Sequence, residues 1–378
     1  MKEGWEYKTL GEIATEMYRG SGIKRDQVTK EGTPCVRYGE IYTTYNISFD
    51  TCASHTKIEN VTSPKYFEYG DLLFAITGES VEDIGKTIAY MGDEKCLCGG
   101  DIICMKHHQN PKYLAYALST PDAIRQKGIG KTKLKVVHTN APALKAISIP
   151  LAPLSEQQSI VDYLDSAFAK IDAMKANAEK RLNEAQALFQ ASLKKMLEPK
   201  EGWEEKTLPD ISENLDSKRK PVTKGKREAG IYPYYGASGI VDYVSDYIID
   251  DDILLISEDG ANLVARSTPI AFSVSGKVWV NNHAHILKFQ NIYTQYFVEY
   301  YFASIKIDEY VTGAAQPKFS QKNMNKLPIW IPSLSEQQSI VATLDSLKSK
   351  VDRLQANYEK ISQECDALKQ AILRDIFE

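Results

Sequence analysis

Cysteine is scarce: six residues scattered through 378 are too few to build a disulfide framework. That usage fits a reducing compartment, and the cytoplasm is the expected location. No apolar run approaches the ~20 residues that a membrane-spanning helix needs. The opening Met1-Lys2-Glu3-Gly4-Trp5 has no apolar signal core, and no membrane partner is expected. A surplus of either charge is also nearly absent, with 46 Lys and Arg against 50 Asp and Glu, a formal −4. By itself this balance argues mildly against a polyanionic partner. It conceals two acid-free runs, however. Arg125, Lys127, Lys131, Lys133 and Lys135 form the first, and Lys218, Arg219, Lys220, Lys224, Lys226 and Arg227 the second. A polyanion meets local patches before it meets net charge.

What the chain does have is repetition. Lys2-Glu3-Gly4-Trp5-Glu6 returns as Lys200-Glu201-Gly202-Trp203-Glu204, and Lys8-Thr9-Leu10 returns as Lys206-Thr207-Leu208. Leu154-Ser155-Glu156-Gln157-Gln158-Ser159-Ile160-Val161 returns unchanged from Leu334 to Val341. The first offset is 198 positions and the second 180, so two repeats share their ends while their middles differ in length by 18 residues.

After each Leu-Ser-Glu-Gln-Gln the pattern turns helical. From Ile340 the apolar positions Leu344, Leu347, Val351, Leu354, Tyr358, Ile361, Cys365, Leu368 and Ile372 alternate in steps of 4 and 3, a heptad seam. The first copy runs Ile160, Leu164, Ala167, Ile171, Met174, Ala178, Leu182, Ala185, Leu188 (or Phe189) and Leu193, with a stutter between Ala178 and Leu182. Ser155 and Ser335 are N-cap candidates, with Gln158 and Gln338 placed for capping boxes. Each helix should be roughly 65 Å long at 1.5 Å per residue. Matched lengths and seams favour pairing with each other. The sequence reads as a circle cut between Glu378 and Met1. Closing it requires the second helix to return to the first middle, which makes the pair antiparallel.

The chain thus divides into a globule over 1–154, a helix over 155–198, a second globule over 199–334 and a helix over 335–378. Both globules read as mixed α/β. Strands are expected at Cys35–Tyr38, Leu72–Thr77, Thr87–Met91 and Ile102–Lys106, then at Gly239–Tyr243, Ile253–Ser257, Ile270–Val274 and Ile286–Phe289. Helices are expected at Pro111–Leu118 and Thr294–Ile305, each preceded by Gln-Asn.

Motifs for chemistry are incomplete. Gly128-Ile129-Gly130-Lys131-Thr132 lacks the earlier glycine of a phosphate loop, where Arg125 stands. Asn110-Pro111-Lys112-Tyr113 departs from the Asn-Pro-Pro-aromatic motif of adenine methyltransferases, and a helix-start turn is the better reading. Cys96, Cys98, Cys104 and His107 lack a second close cysteine pair for zinc. His283 and His285 alternate on a strand and read as polar packing. No catalytic residue, metal site or cofactor is expected in this chain.

Two constant ends, two constant helices and two dissimilar middles resemble the specificity subunit of type I restriction–modification enzymes. The resemblance covers the whole chain. Tyr234-Tyr235-Gly236-Ala237-Ser238-Gly239-Ile240 and Ser257-Glu258-Asp259-Gly260-Ala261-Asn262 add to it, being similar to pieces of that family's target recognition domains. It implies two pseudo-symmetric α/β target recognition domains joined by a pair of long antiparallel coiled-coil helices. Each domain would read one half of a split, asymmetric sequence in double-stranded DNA. It also implies two methylation subunits, carrying S-adenosylmethionine, and restriction subunits as partners that hold the chemistry.

On that reading, lysine and arginine contact phosphates while other side chains read base edges. The phosphate candidates are Lys131, Lys133, Lys135, Lys218, Arg219, Lys220, Lys224, Lys226, Arg227, Lys24 and Lys318. The base-reading candidates, beside turn residues, are Arg19, Arg25, Arg37 and Tyr38 in the first middle, and Tyr235, Ser238, Asn262 and Arg266 in the second.

Overall fold

The computed structural model describes residues 4–130, 136–313 and 315–378. The chain divides into two compact units, Met1–Asn177 with Glu359–Glu378, and Ala178–Tyr358. Each is a mixed α/β body completed by stretches of both long helices, which span Leu154–Met196 and Leu334–Phe377.

Unit 1 is built on two five-stranded sheets. The first has the order Glu16–Arg19, Ile102–Lys106, Leu72–Ala75, Thr87–Tyr90, Ser48–Phe49. The second has the order Val28–Thr29, Ser54–Thr56, Thr33–Val36, Cys96–Cys98, Tyr66–Phe67. Unit 2 repeats the frame. Its first sheet runs Ser212–Asn214, Ala284–Phe289, Ile253–Ser257, Ala271–Val274, and its second Gly239–Val244, Ala229–Gly236, Lys277–Val280, Ile249–Asp250. In both second sheets the central pair is parallel. Leu97 and Cys98 pair with Cys35 and Val36, and Trp279 and Val280 with Tyr234 and Tyr235.

The two sheets of unit 1 approach closely where only glycine fits. A Cβ on Gly20 would lie 2.1 Å from the carbonyl oxygen of Gly99. Central strands such as Leu72–Ala75 and Ile253–Ser257 are buried on both faces and read as continuous apolar runs. The Gln-Asn pairs end as designed caps, with Asn110 Oδ1 accepting from Tyr113 N–H and Asn291 Oδ1 from Tyr293 N–H. Strands without an alternating pattern escaped the sequence reading. Ala229–Gly236 contains Pro233 and two glycines, and its register shifts twice against Gly239–Val244.

The repeated motifs touch each other. Trp5 Nε1 donates to Glu156 and Trp203 Nε1 to Glu336, both at 3.3 Å. The strand Glu6–Thr9 pairs with Ser148–Leu151, as Glu204–Lys206 pairs with Ile329–Ile331. Gln157 and Gln337 are buried. Gln157 donates to the Ala152 carbonyl and Gln337 to that of Pro332. These bonds account for the Gly-Trp-Glu and Leu-Ser-Glu-Gln-Gln repeats as an anchor between each helix start and its globule.

The helix caps differ from expectation. Both helices begin at the leucine before Ser155 and Ser335, so those serines lie inside the first turn. Pro153 and Ser333 carbonyls accept the first helical bonds instead, from Glu156 and Gln337. The seam is also corrected. Met174, Leu188 and Leu368 are 61%, 61% and 47% exposed, which excludes them from it. Lys175 takes the place of Met174, its stem half-buried and its ammonium 3.3 Å from Asp366. That choice gives steps of 4, 3 and 4 through Ile171, Lys175, Ala178 and Leu182, and the stutter moves upstream, to the successive steps of 4 from Ala167 to Ile171 and Lys175. The burial pattern follows hydrogen-bonded geometry at 3.6 residues per turn, which drifts from a strict 3.5 repeat.

Within unit 1 the helices run antiparallel, with Asp172 paired to Lys369 and Lys175 to Asp366. Phe377, at the end of the second helix, packs on Trp5 and Tyr113 with ring centroids 6.3 and 5.3 Å apart. In unit 2 the end of the first helix does the same work, Leu193 and Leu197 lying in one core with Trp203. Each globule is therefore closed by the tail of the helix that leaves the other repeat.

Candidate nucleic-acid interface

The two frames bring several sequence-selected residues to corresponding places. In unit 1, Gly20 and Ser21 leave the strand Glu16–Arg19, and the Ser21 N–H bonds to the Cys98 carbonyl at 2.8 Å. In unit 2 the Lys220 N–H bonds to the Val280 carbonyl at 3.1 Å. Each unit then makes a short 3₁₀ turn, Arg25–Gln27 in one and Lys224–Lys226 in the other. Lys24 and Arg25 are exposed on the first, Lys224 and Lys226 on the second. None of the four has a close ion pair among the described residues.

The turns sit against the strand that flanks the central parallel pair. Thr56 Oγ1 donates to the Gln27 carbonyl at 2.8 Å in unit 1. In unit 2 Arg227 Nη1 donates to Asp242 at 3.0 Å and Arg227 Nε to the Val222 carbonyl at 3.0 Å, with the guanidinium 4.4 Å from the Tyr234 ring centroid. This pairing holds the Asp242 carboxyl below the usual range. Lys218 is exposed at the end of a separate 3₁₀ turn, Asp216–Lys218, and Lys220 lies 5.8 Å from the Trp279 ring centroid. In the second basic run Lys218, Lys224 and Lys226 are thus exposed, and Lys220 and Arg227 lie over aromatic rings, a combination suited to a polyanion.

Arg37 and Tyr38 follow the strand Thr33–Val36, and Ala237 and Ser238 follow its counterpart Ala229–Gly236. Tyr38 does not extend the strand, as the sequence suggested, but opens the helix Tyr38–Thr43. Arg37 is held in a half-buried pair with Glu40 at 3.1 Å, and Glu40 also accepts from Ser54. Tyr38 is 39% exposed, and Ser238 is exposed at a two-residue turn closed by Gly239 at φ +116°. Tyr235 leans on Phe272 with centroids 6.0 Å apart, and burial pushes its hydroxyl pKa up.

Other candidates already have intramolecular partners. Arg19 donates to Asp101 at 2.7 Å and to the Gly100 carbonyl. Asn262 Oδ1 accepts from Ser267 and Thr268, and its Nδ2 donates to the Thr268 carbonyl. Arg266, in a left-handed conformation at φ +53°, donates to the Phe302 and Ile305 carbonyls and so caps the helix Ile292–Ser304. Arg219 lies in a buried network. It pairs with Glu258 and, at 3.3 Å, with Asp216, while Lys318 reaches Glu258 at 3.1 Å. His285 Nδ1 meets Asp216 at 2.6 Å and its Nε2 meets the Phe319 carbonyl at 2.8 Å. Burial raises the Asp216 and Glu258 pKa values, but the His285 and Arg219 contacts outweigh it for Asp216, and the Arg219 and Lys318 bonds for Glu258, leaving both lowered. Spacing alone does not show which basic residues meet an internal acid far along the chain.

Lys131, Lys133 and Lys135 lie outside the described residues. The start of their run is structural: Arg125 pairs with Asp122, and the buried Lys127 ammonium donates to the Leu118 carbonyl at 2.8 Å and to Thr87 at 3.1 Å. Burial pushes the Lys127 pKa down to about 7. Among the described residues no group of three His, Cys, Asp or Glu side chains is placed to hold a metal ion, and no helix is long and apolar enough to cross a membrane.

The family model for the type I restriction modification DNA specificity domain matches residues 2–184 and 200–363. A putative type I restriction enzyme specificity subunit of Haemophilus influenzae is 35% identical over 41% of this chain and 40% of its own length. The putative MjaX specificity subunit of Methanocaldococcus jannaschii is 26% identical over 96% of this chain and 91% of its own. A chain from a structural study of assembly and conformational transition in the type I R-M system superposes with a TM-score of 0.78 at 16% identity, covering 99% of this chain and 97% of that one. At that identity the superposition speaks for the fold alone. The two matched segments cover most of both repeats, and the chain therefore belongs to the type I restriction–modification DNA specificity family, as a DNA-recognition (S) subunit.

Proposed function

We propose that this chain reads an asymmetric, two-part target in double-stranded DNA, one half-site per unit, and carries no reaction of its own. One observation carries the reading: two units share four matching strands in each of two sheets and anchored helix starts, but differ in the connections beside their cationic turns. A shared frame with unlike exposed connections is what two different half-sites demand. Methylation chemistry, with S-adenosylmethionine, would then reside on two methylation subunits, and cleavage on restriction subunits, assembled on this scaffold. The paired helices would serve as the spacer between half-sites, since a rigid helix pair fixes a separation that a flexible linker does not.

The test is a titration of labelled duplex with the purified chain in complex with its cognate methylation subunits, at several salt concentrations. The expected result is specific binding whose affinity falls steeply with salt, as counterion release requires. Salt-independent or absent binding would overturn the reading.

A further inference from the structure

We infer that the connection leaving the first strand of each central parallel pair is the base-reading element: residues 37–53 in unit 1, and the hairpin end Ala237–Tyr243 in unit 2. The inference rests on the DNA-reading function proposed above and assigns it to particular side chains.

The frames locate the element. Thr33–Val36 and Ala229–Gly236 are equivalent, since each pairs in parallel with its counterpart strand, Cys96–Cys98 or Lys277–Val280. Each is flanked on its other side by an antiparallel strand, Ser54–Thr56 or Gly239–Val244. Between these strands unit 1 inserts residues 37–53, including the helix Tyr38–Thr43, whereas unit 2 inserts only Ala237 and Ser238. Most of the length difference between the two middles falls at this connection.

The exposed side chains there are not needed by either core. Tyr38, Thr43, Thr44 and Asn46 are exposed in unit 1. In unit 2, Ile240, Val241 and Tyr243 are 47%, 55% and 52% exposed on the same hairpin strand. The hairpin tip is fixed, because Ser257 Oγ donates to the Ala237 carbonyl. Uncovered apolar side chains on a fixed strand point to an occupant. The neighbouring cations identify it, since Lys224 and Lys226 stand on the turn that Arg227 ties to Asp242 of this strand. In unit 1, Lys24 and Arg25 stand on the turn that Thr56 ties down. Charge complementarity selects a phosphate backbone beside each element. A two-stranded ribbon or a helix fits the major groove, where thymine alone shows a methyl group. The two chemistries then differ. Ile240 and Val241 read thymine methyls, whereas the hydroxyls and amide of Tyr38, Thr43, Thr44 and Asn46 read hydrogen-bonding edges.

The experiment selects bound sequences from a randomised duplex pool with the complex of full-length chain and cognate methylation subunits. The variants are I240S/V241S, Tyr243→Ser as a second unit 2 variant, Y38A/N46A, and K224A/K226A. The double hairpin variant should lose thymine preference at one or two positions of one half-site, about tenfold per position, and leave the other half-site intact. Y38A/N46A should relax the opposite half-site. K224A/K226A should weaken binding with an unchanged motif. The inference is overturned if both half-sites survive the hairpin variants, if both pairs alter the same half-site, or if the hairpin variants lose only the methylation subunits. A wild-type complex that binds DNA but enriches no motif overturns the inference and the bipartite reading together.

Discussion

The two units share what must be constant and differ in how they spend buried charge. Unit 1 encloses separate small groups: Asp71 beside Lys106, Glu40 between Arg37 and Ser54, and the ammonium of Lys127 on Leu118 and Thr87. Unit 2 encloses a connected set in which Asp216, Arg219, Glu258 and His285 answer one another and Lys318 closes one edge. The lesson is that the anchoring motifs match between the units, while the buried polar groups of each unit are partnered in different ways. A frame of matching strand order tolerates either solution provided that each buried polar group finds a partner.

The shared part of the comparison should produce the largest effects. Trp5→Ala and Trp203→Ala each remove a buried indole and its bond to Glu156 or Glu336, and each should cost about 3–5 kcal/mol in chemical denaturation. A silent substitution in one unit would show that the anchors are not equivalent. Asp216→Asn tests the part that differs. It leaves His285 and Arg219 without their shared carboxylate and should cost about 3 kcal/mol, with the loss confined to unit 2 amides in hydrogen exchange.

Lys127 offers an effect in unit 1 that is smaller for each unit of pH. Its folded pKa of about 7 lies below the ordinary 10.5, so above about pH 7 the folded state has shed a proton that the unfolded chain retains. Stability should therefore rise with pH between those values, by up to about 1.4 kcal/mol per unit. Lys127→Met should flatten that slope in denaturation curves collected from pH 7 to 10.

Acid should separate the units by sign. Asp216 and Glu258 have lowered folded pKa values, so their stabilisation is complete above the unfolded values of 3.8 and 4.5 and is lost as pH falls through the folded ones. Asp71 is shifted the other way, burial raising its pKa against its hydrogen bond from the Glu68 N–H and the Lys106 charge. Its contribution grows as pH falls from that raised value toward 3.8. Amide protection in Ala284–Phe289 should thus weaken on acidification before that in Leu72–Ala75. The reverse order would contradict these assignments.

Much of this was legible in the sequence. The two repeats, the long helices, their antiparallel return and the buried strands Ile102–Lys106 and Ile253–Ser257 follow from spacing and apolar runs. The path of the seam did not, because a lysine stem can cover a helix face that apolar counting assigns to methionine, as Lys175 does for Met174. The split among the basic residues did not either. Arg219 and Arg266 resemble their neighbours in the chain, and only folding brings Glu258 and the Ile305 carbonyl to them. Ile240 and Val241 were passed over because an apolar pair on a strand ordinarily signals core, and nothing local shows that this strand leaves them exposed.

The most direct test of the central claim, that two unlike units read two unlike half-sites, is a map of methylated bases in the genome of the cell that carries this chain. The account predicts one dominant motif made of two dissimilar half-sites separated by a fixed number of unspecified base pairs. A palindromic motif, or one continuous sequence without a gap, would contradict it.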